Sequence, residues 1–242
     1  MLELPLHKMI ANIRNLTFLE ALRDFKEIYC DENRLIAEAL RTTLKRRLLE
    51  PILDVGAGLG DIAEFAFPER RAVLLDINEI PDTHSRLHKR VTSDFFEYEP
   101  DWADRPRTMI LCHVLQYLDN DITRLQMKIS DLKPDVIIEV RNDNDGLFGN
   151  VMFWSLKHIV RANPEVECNF TNGQYKLAET APIRATLKCP NYSIMARHFV
   201  EVLIDSPADP NSISKVERKL RALLYEPSIP INQTIYCYER KQ

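Results

Sequence analysis

Half of the glycines in this chain lie in one short segment. The chain has 242 residues and only 6 glycines, whereas an average usage of about 7% would give about 17. Gly56, Gly58 and Gly60 fall within five consecutive positions, between an apolar run and a helix-like run that begins at Asp61. Because glycine permits positive φ and close approach of a ligand to the backbone, this segment predicts a strand–turn–helix unit that binds a ligand.

An acidic residue at the end of the next apolar run narrows the type of ligand. Asp76 lies twenty residues after Gly56, where an acid can bind ribose hydroxyls while the amides at the helix start face the ligand. A dinucleotide fingerprint would place a third small residue where this chain has Asp61. Asp54 and Asp61 flank the glycines, so their charges disfavour a pyrophosphate. They favour a ligand with a positive centre, such as S-adenosylmethionine.

The remainder of the chain predicts an α/β fold. Short apolar runs alternate with amphipathic stretches, which indicates βαβ units and a doubly wound, parallel sheet. We expect strands at 52–55, 72–75, 90–92, 108–112, 136–140, 193–204 and 233–238, and helices at 61–67, 80–87, 119–132, 147–160 and 212–224.

The flanking segments suggest two additions to this core. The first 49 residues contain helical patterns near 17–28 and 31–49, and Asp31 could cap the second of these helices. Residues 161–190 are polar, hold three prolines and show little periodicity. We therefore expect an N-terminal helical cap (1–49) and a core (50–242) with an insertion that forms a lid at 161–190.

Composition excludes several classes of function. The net charge is −4 and the pI is about 5.9, whereas nucleic-acid binders usually carry a basic balance or stripe. The five cysteines form no CxxC pair, which argues against a zinc ribbon and a disulfide framework. No apolar run approaches the roughly 20 residues of a membrane span. We expect a cytoplasmic monomer or homodimer that acts on a small molecule, without nucleic acid, membrane or metal.

The run DVGAGLG resembles motif I of the class I S-adenosylmethionine-dependent methyltransferases, and the likeness covers roughly residues 50–140. That family has a Rossmann-like, doubly wound sheet of seven strands, the last of them antiparallel. Its glycine loop holds the methionine part of the cofactor. The resemblance assigns this role to Asp54, Gly56, Ala57 and Gly58.

The same resemblance suggests residues for the rest of the cofactor. Asp76 matches the acid that binds the ribose, with Ile77 beside it. Asp94 matches the position that meets the adenine amino group, and Phe95 matches the apolar neighbour that contacts the adenine ring. His113 matches a histidine beside the sulfonium.

A second stretch, from SDFF to LDND, is similar to the small-molecule O-methyltransferases. Two differences limit this likeness. Those enzymes carry a long dimerisation domain, whereas only about fifty helical residues precede the core here. Their general-base histidine aligns with Gln116, and glutamine cannot accept a proton in the required way. Base-catalysed methylation of phenols is therefore not implied.

Four residues are candidates for the catalytic site. His113 and Tyr117 follow the fourth expected strand and Asn142 follows the fifth, at the carboxyl edge where doubly wound sheets bind ligands. Tyr175, in the expected lid, could present an aromatic face to a cation. Each has a structural alternative, namely a capping histidine for His113, ordinary packing for the tyrosines, and a solvated turn near Asn142.

These observations lead to one expected function and two alternatives. We expect an S-adenosylmethionine-dependent methyltransferase of secondary metabolism that acts on a nitrogen or a carboxylate of a small molecule. A methyltransferase-like enzyme could instead break another sulfonium bond, by aminocarboxypropyl transfer or cyclisation, and release methylthioadenosine. The chain could also be a non-catalytic cofactor-binding subunit.

Overall fold

The computed structural model describes residues 30–82, 84–115, 122–143, 146–155, 158, 170–171, 173–189, 191–200 and 209–241. The expected helix at 17–28 lies outside these residues, as do Gln116 and Tyr117. The chain divides into two compact units. The sheet unit comprises Asn33–Arg141, Val166–Ile183 and Gln233–Gln242, and the helical unit comprises Met1–Glu32, Asn142–Glu165 and Arg184–Asn232.

Seven strands form one sheet, in the order β3-β2-β1-β4-β5-β7-β6. Their bounds are β1 Ile52–Val55, β2 Ala72–Asp76, β3 His88–Thr92, β4 Thr108–Cys112, β5 Val136–Asn142, β6 Tyr175–Lys188 and β7 Ser228–Arg240. The first five are parallel. β7 runs against β5, since Asp143 N donates to Asn232 O and Arg240 N to Asp135 O. The expected α/β fold with seven strands and an antiparallel last strand is confirmed.

The central strands are apolar because both faces of the sheet are covered. All four residues of β1 are buried, and β1 pairs with β2 and β4 in register, Val55 opposite Leu75 and Leu111. Helix α3 (Ile122–Leu132) buries Leu125, Ile129 and Leu132 in the core cluster of this unit. Burying a leucine or isoleucine contributes about 1.5–3 kcal/mol to stability. Because β1, β2, β4 and β5 are parallel, their carboxyl ends lie at one edge of the sheet, and this packing stabilises that arrangement.

Among the described residues there are five further helices. Four of them lie in segments that were expected to be helical, and one lies where a strand was expected. They are α1 Glu32–Thr42, α2 Asp61–Ala66, α4 Leu147–Ser155, α5 Tyr192–His198 and α6 Pro210–Leu223. α1 ends at Thr42, whereas the expected helix extended to residue 49. Asp31, which was expected to cap this helix, accepts a hydrogen bond at Oδ1 from Thr186 N in the helical unit. Among the described residues, no helix has both the length and the apolar character that crossing a membrane requires.

The strand expected at 193–204 is wrong, because residues 192–198 form α5. Asn191 caps this helix, and its side chain accepts a hydrogen bond from Ile194 N at 2.9 Å. The buried residues Met195 and Phe199 are four positions apart, as one face of a helix requires. The cap and this spacing outweigh the continuous apolar character that suggested a strand.

The expected lid at 161–190 is wrong for its second half, because β6 occupies 175–188. Buried and exposed residues alternate from Ala181 to Lys188, the period of a strand with one buried face. Pro182 suggested a break in structure, but it is exposed on the edge strand of the sheet, where proline is tolerated. The alternation was therefore the better signal.

The helix expected at 80–87 is absent from the described residues of that segment. Ser85 Oγ donates to Pro68 O at 2.6 Å and accepts from Leu87 N at 3.2 Å. A serine that bonds the backbone in this way favours a turn over a helix. The chain then enters β3 at His88, two residues earlier than expected.

Candidate functional site

The glycine turn, residues 56–60, links β1 to α2 through three left-handed glycines. The φ angles of Gly56, Gly58 and Gly60 are 68°, 57° and 77°. A Cβ atom on Gly56 would lie 2.5 Å from Val114 Cγ2, whereas a Cβ on Gly58 would meet nothing within 4 Å. Gly56 therefore allows close packing of the turn on Val114, and Gly58 leaves open space in front of the turn.

Asp76 lies at the carboxyl end of β2 and is bonded to this turn. Its Oδ2 accepts a hydrogen bond from Gly58 N at 2.9 Å, and its Oδ1 accepts from Asn78 N at 2.9 Å. These bonds orient the half-buried carboxylate. Ile77 beside it is 71% exposed and adds an apolar surface. The structure thus brings together the glycine turn and the two residues expected at the ribose.

Asp54 is a buried acid in the middle of the sheet, 2% exposed between Leu74 and Ile110 of the neighbouring strands. Loss of solvation and, secondarily, the charge of Asp76 raise the pKa of Asp54 to about 7. No hydrogen-bond donor to its carboxyl group occurs among the described residues. A positive charge placed nearby would therefore stabilise the ionised form strongly.

Asp94 and Phe95 follow β3, but only Asp94 is on the surface. Asp94 Oδ1 accepts a hydrogen bond from Phe96 N at 2.6 Å and so caps a turn. The Phe95 ring is 4% exposed and belongs to the core cluster. The ring therefore packs in the core, and its contact with the adenine ring stays a prediction.

His113 follows β4 with a left-handed φ of 51°. Its Nε2 lies 3.2 Å from Nε2 of Gln233 on β7. Gln233 is fully buried, and the sequence analysis did not single it out. The available signal was an amide in a row of apolar residues at every second position, between Ile231 and Ile235, and its partner lies 120 residues away.

A buried ion pair lies at the carboxyl end of β5. The fully buried Glu139 accepts two hydrogen bonds from Arg141, Nε to Oε1 at 2.6 Å and Nη2 to Oε2 at 2.7 Å. Tyr238 O–H also donates to Glu139 Oε2 at 3.3 Å, and the Arg141 guanidinium lies 5.0 Å from the centre of the Tyr236 ring. Burial and the Glu139 charge raise the pKa of Tyr238. His113 with Gln233 and Glu139 with Arg141 form two separate pairs towards the carboxyl ends of β4 and β5, and we refer to these two pairs together as the polar cluster.

Tyr175 does not belong to this edge of the sheet. It lies in β6, is 4% exposed, and donates its hydroxyl to Pro134 O at 2.8 Å. Pro134 precedes β5, so Tyr175 lies at the amino edge, opposite the glycine turn. Burial raises the pKa of Tyr175 to about 12. The expectation that Tyr175 acts in a lid at the catalytic site is corrected.

The two other candidate catalytic residues, Asn142 and Tyr117, stay predictions. Asn142 is the last residue of β5, is half-buried and belongs to the helical unit. Tyr117 lies outside the described residues. Within the described ranges, no group of three or more His, Cys, Asp or Glu side chains could hold a metal ion.

Comparison with solved structures relates the fold to known proteins. A cyclopropane-fatty-acyl-phospholipid synthase-like protein from Lactobacillus casei matches 86% of this chain and 91% of its own, with a TM-score of 0.52 and 12% identity. A protein from Anaeromyxobacter dehalogenans, provisionally described as a type II methyltransferase, matches 86% of this chain and 94% of its own, with a TM-score of 0.49 and 14% identity. A SAM-dependent methyltransferase from Geobacter sulfurreducens, in complex with S-adenosyl-L-homocysteine, matches 85% of this chain and 90% of its own, with a TM-score of 0.49 and 13% identity.

The similarity to the Lactobacillus casei protein shows a shared fold. No family model and no curated protein matches the sequence.

Proposed function

We propose that this chain binds S-adenosylmethionine and transfers its methyl group to a small-molecule acceptor. The observation that carries the proposal is the pair of carboxylates, Asp54 and Asp76, at an open left-handed glycine turn. Phosphate would meet both negative charges, whereas an ammonium and a sulfonium would be attracted by them.

The residues present fit this cofactor. Open space in front of Gly58 allows a ligand to approach the backbone. The Asp54 carboxyl group, buried without a described hydrogen-bond donor, is suited to a cationic partner that compensates its lost solvation. Asp76 and the exposed Ile77 would hold the ribose and cover one side of the nucleoside. Asp94 would accept from the adenine amino group.

Bound S-adenosylmethionine would supply an activated methyl group for transfer to the acceptor. The protein then contributes mainly orientation and exclusion of water. Asp54 and the glycine turn would fix the amino-acid end, and the polar cluster would form the wall at the ends of β4 and β5. S-adenosylhomocysteine is the expected second product.

The acceptor is proposed to be a nitrogen or a carboxylate. In the polar cluster, Glu139 is already paired with Arg141, and His113 Nε2 already faces Gln233. Acceptors that need no proton removed suit such a site better than phenols or alcohols. A place in secondary metabolism follows only from the resemblance to small-molecule O-methyltransferases. A cytoplasmic location, no nucleic-acid or membrane partner, and a monomeric or homodimeric state remain predictions.

Titration calorimetry with the whole chain tests the cofactor directly. We expect S-adenosylmethionine and S-adenosylhomocysteine to bind and NAD not to bind. Asp76→Ala should weaken binding at least tenfold, whereas Asp82→Ala, an exposed acid of the same loop region, should not. Binding of NAD alone would contradict the proposal.

Product analysis tests the reaction. The protein would be incubated with S-adenosylmethionine and a metabolite extract, and the released nucleoside identified by mass spectrometry. Adenosylhomocysteine together with a methylated acceptor is expected. Methylthioadenosine would instead favour cleavage of another sulfonium bond, and binding without any turnover would favour a non-catalytic subunit.

A further inference from the structure

We propose that Gln233 is a positioning residue for His113, which orients the ring so that the lone pair of Nε2 faces the Gln233 amide nitrogen and the ring proton is on Nδ1. The tautomer is inferred from the contact between these two side chains. Its consequence for catalysis rests on the proposed methyl transfer.

With the amide nitrogen of Gln233 facing the ring, the chemistry of the contact indicates the tautomer. The two facing atoms are both nitrogens, Nε2 of His113 and Nε2 of Gln233, 3.2 Å apart. An amide nitrogen has two hydrogens to donate and accepts no hydrogen bond, so the imidazole nitrogen must accept. A neutral imidazole has one donor and one acceptor nitrogen, which places the proton on Nδ1. An imidazolium would direct one N–H group at another.

The placement of Gln233 in the strand suggests a specific role. Ile231, Gln233 and Ile235 lie two positions apart on β7, and all three are buried. A third isoleucine or a valine would suit this row, because a buried amide costs free energy unless it is hydrogen-bonded. The His113 ring offers the bond that an apolar residue could not use.

His113 is also restrained through its backbone. Its left-handed φ of 51° is uncommon for a residue with a side chain, and the next residue, Val114, packs on Gly56 of the glycine turn. The turn and β7 therefore hold the backbone and the ring of His113 from two sides. A ring fixed in this way keeps one orientation at the carboxyl edge of the sheet.

The assignment has a consequence for the acceptor. A general base at Nε2 would need the lone pair that already accepts from Gln233. His113 would therefore not act as the base. The inferred substrate class is thus one whose nucleophile needs no proton removed before it attacks, namely a carboxylate or an amine that binds in its unprotonated form.

Nitrogen NMR of the full-length, ¹⁵N-labelled protein without ligand tests the tautomer. The spectra would be recorded at a pH above that at which free imidazole is protonated, and loss of a signal in His113→Gln would assign the ring. We expect a protonated, pyrrole-type Nδ1 and an unprotonated, pyridine-type Nε2. A pyrrole-type Nε2 would overturn the proposal, since the amide would then present its oxygen.

Two variants of Gln233 extend the test. Gln233→Glu replaces the donor by a carboxylate, so the proton should move to Nε2, whereas Gln233→Leu should leave a mixture of both tautomers. Gln174→Glu adds the same charge at an exposed position at the other edge of the sheet and should leave the His113 signals unchanged. An unchanged tautomer in Gln233→Leu would overturn the positioning role, even if Gln233→Glu does not fold.

Kinetics connect the tautomer to catalysis. We expect Gln233→Leu to lower kcat roughly tenfold and to change KM for S-adenosylmethionine by less than about twofold. A rise in KM for S-adenosylmethionine as large as the fall in kcat would contradict a positioning role for Gln233. The NMR result needs no turnover, so failure of methyl transfer would reject the proposed function alone. A wrong tautomer in an active enzyme would reject only the role of Gln233.

Discussion

The glycine turn and the polar cluster occupy the same edge of the sheet but are held in different ways. The turn is built from five consecutive residues, and its shape depends on three left-handed glycines and on the acceptor Asp76. The polar cluster is assembled from three strands, with Gln233 lying 120 residues after His113. The first is a local structure that close neighbours define, whereas the second exists only when β4, β5 and β7 are paired.

Breaking the buried ion pair should have the largest effect. Arg141→Leu leaves the fully buried Glu139 without its bidentate partner, and removing one member of such a pair costs about 3–5 kcal/mol. Urea unfolding would measure the loss. In the double variant Glu139→Leu/Arg141→Leu most of this loss should be recovered, because two apolar side chains need no charge partner. A double variant as unstable as Arg141→Leu would contradict this account.

The glycine turn should respond position by position. Gly56→Ala combines a left-handed alanine with a clash against Val114, which together cost about 2–5 kcal/mol. Gly58→Ala meets no neighbour and should cost only the backbone term of about 1–2 kcal/mol, yet it should abolish cofactor binding because the new methyl group enters the open space.

A compensating variant provides the control for this pair. Val114→Ala should partly restore the stability of Gly56→Ala, since it removes the atom that the new Cβ meets, but it should not help Gly58→Ala. Equal unfolding free energies for the two alanine variants would show that the contact with Val114 is unimportant.

Local regions of the molecule were predictable and distant pairings were not. The strand–turn–helix unit around Gly56 and the acid Asp76 follow from spacing within about twenty residues. Gln233 could not be matched to His113, because a strand's neighbours in a sheet depend on the whole topology. Tyr175 was misplaced for a related reason. Pro182 suggested an irregular lid, and only the burial alternation of β6 reveals an edge strand.

The buried acid of the turn should make stability depend on pH. The pKa of Asp54 rises from 3.8 in an unfolded chain to about 7 in the fold, so between these values the folded state binds the extra proton. Stability contributed by the neutral form is complete below pH 4 and is lost as the pH rises through 7. The loss is at most about 4 kcal/mol, from 1.36 kcal/mol per pKa unit.

Asp54→Asn removes this titratable group and tests the direction in which stability changes with pH. Thermal unfolding should show the variant to be more stable than the parent at pH 8, with little difference at pH 4. Cofactor binding should nevertheless weaken, because the variant cannot become negative. A variant that is equally or less stable at pH 8 would indicate that Asp54 is ionised at little cost in the fold.

The smallest expected effect tests the amino edge of the sheet against the carboxyl edge. Tyr175→Phe removes one hydrogen bond, from the hydroxyl to Pro134 O at 2.8 Å, and keeps the buried ring. The loss in unfolding free energy should be about 1 kcal/mol, partly because the Pro134 carbonyl is left without that donor. Cofactor affinity and kcat should stay unchanged, since the side chain lies at the opposite edge from Gly58 and His113. A drop in kcat without a drop in stability would indicate that Tyr175 has a catalytic role after all and that β6 moves during turnover.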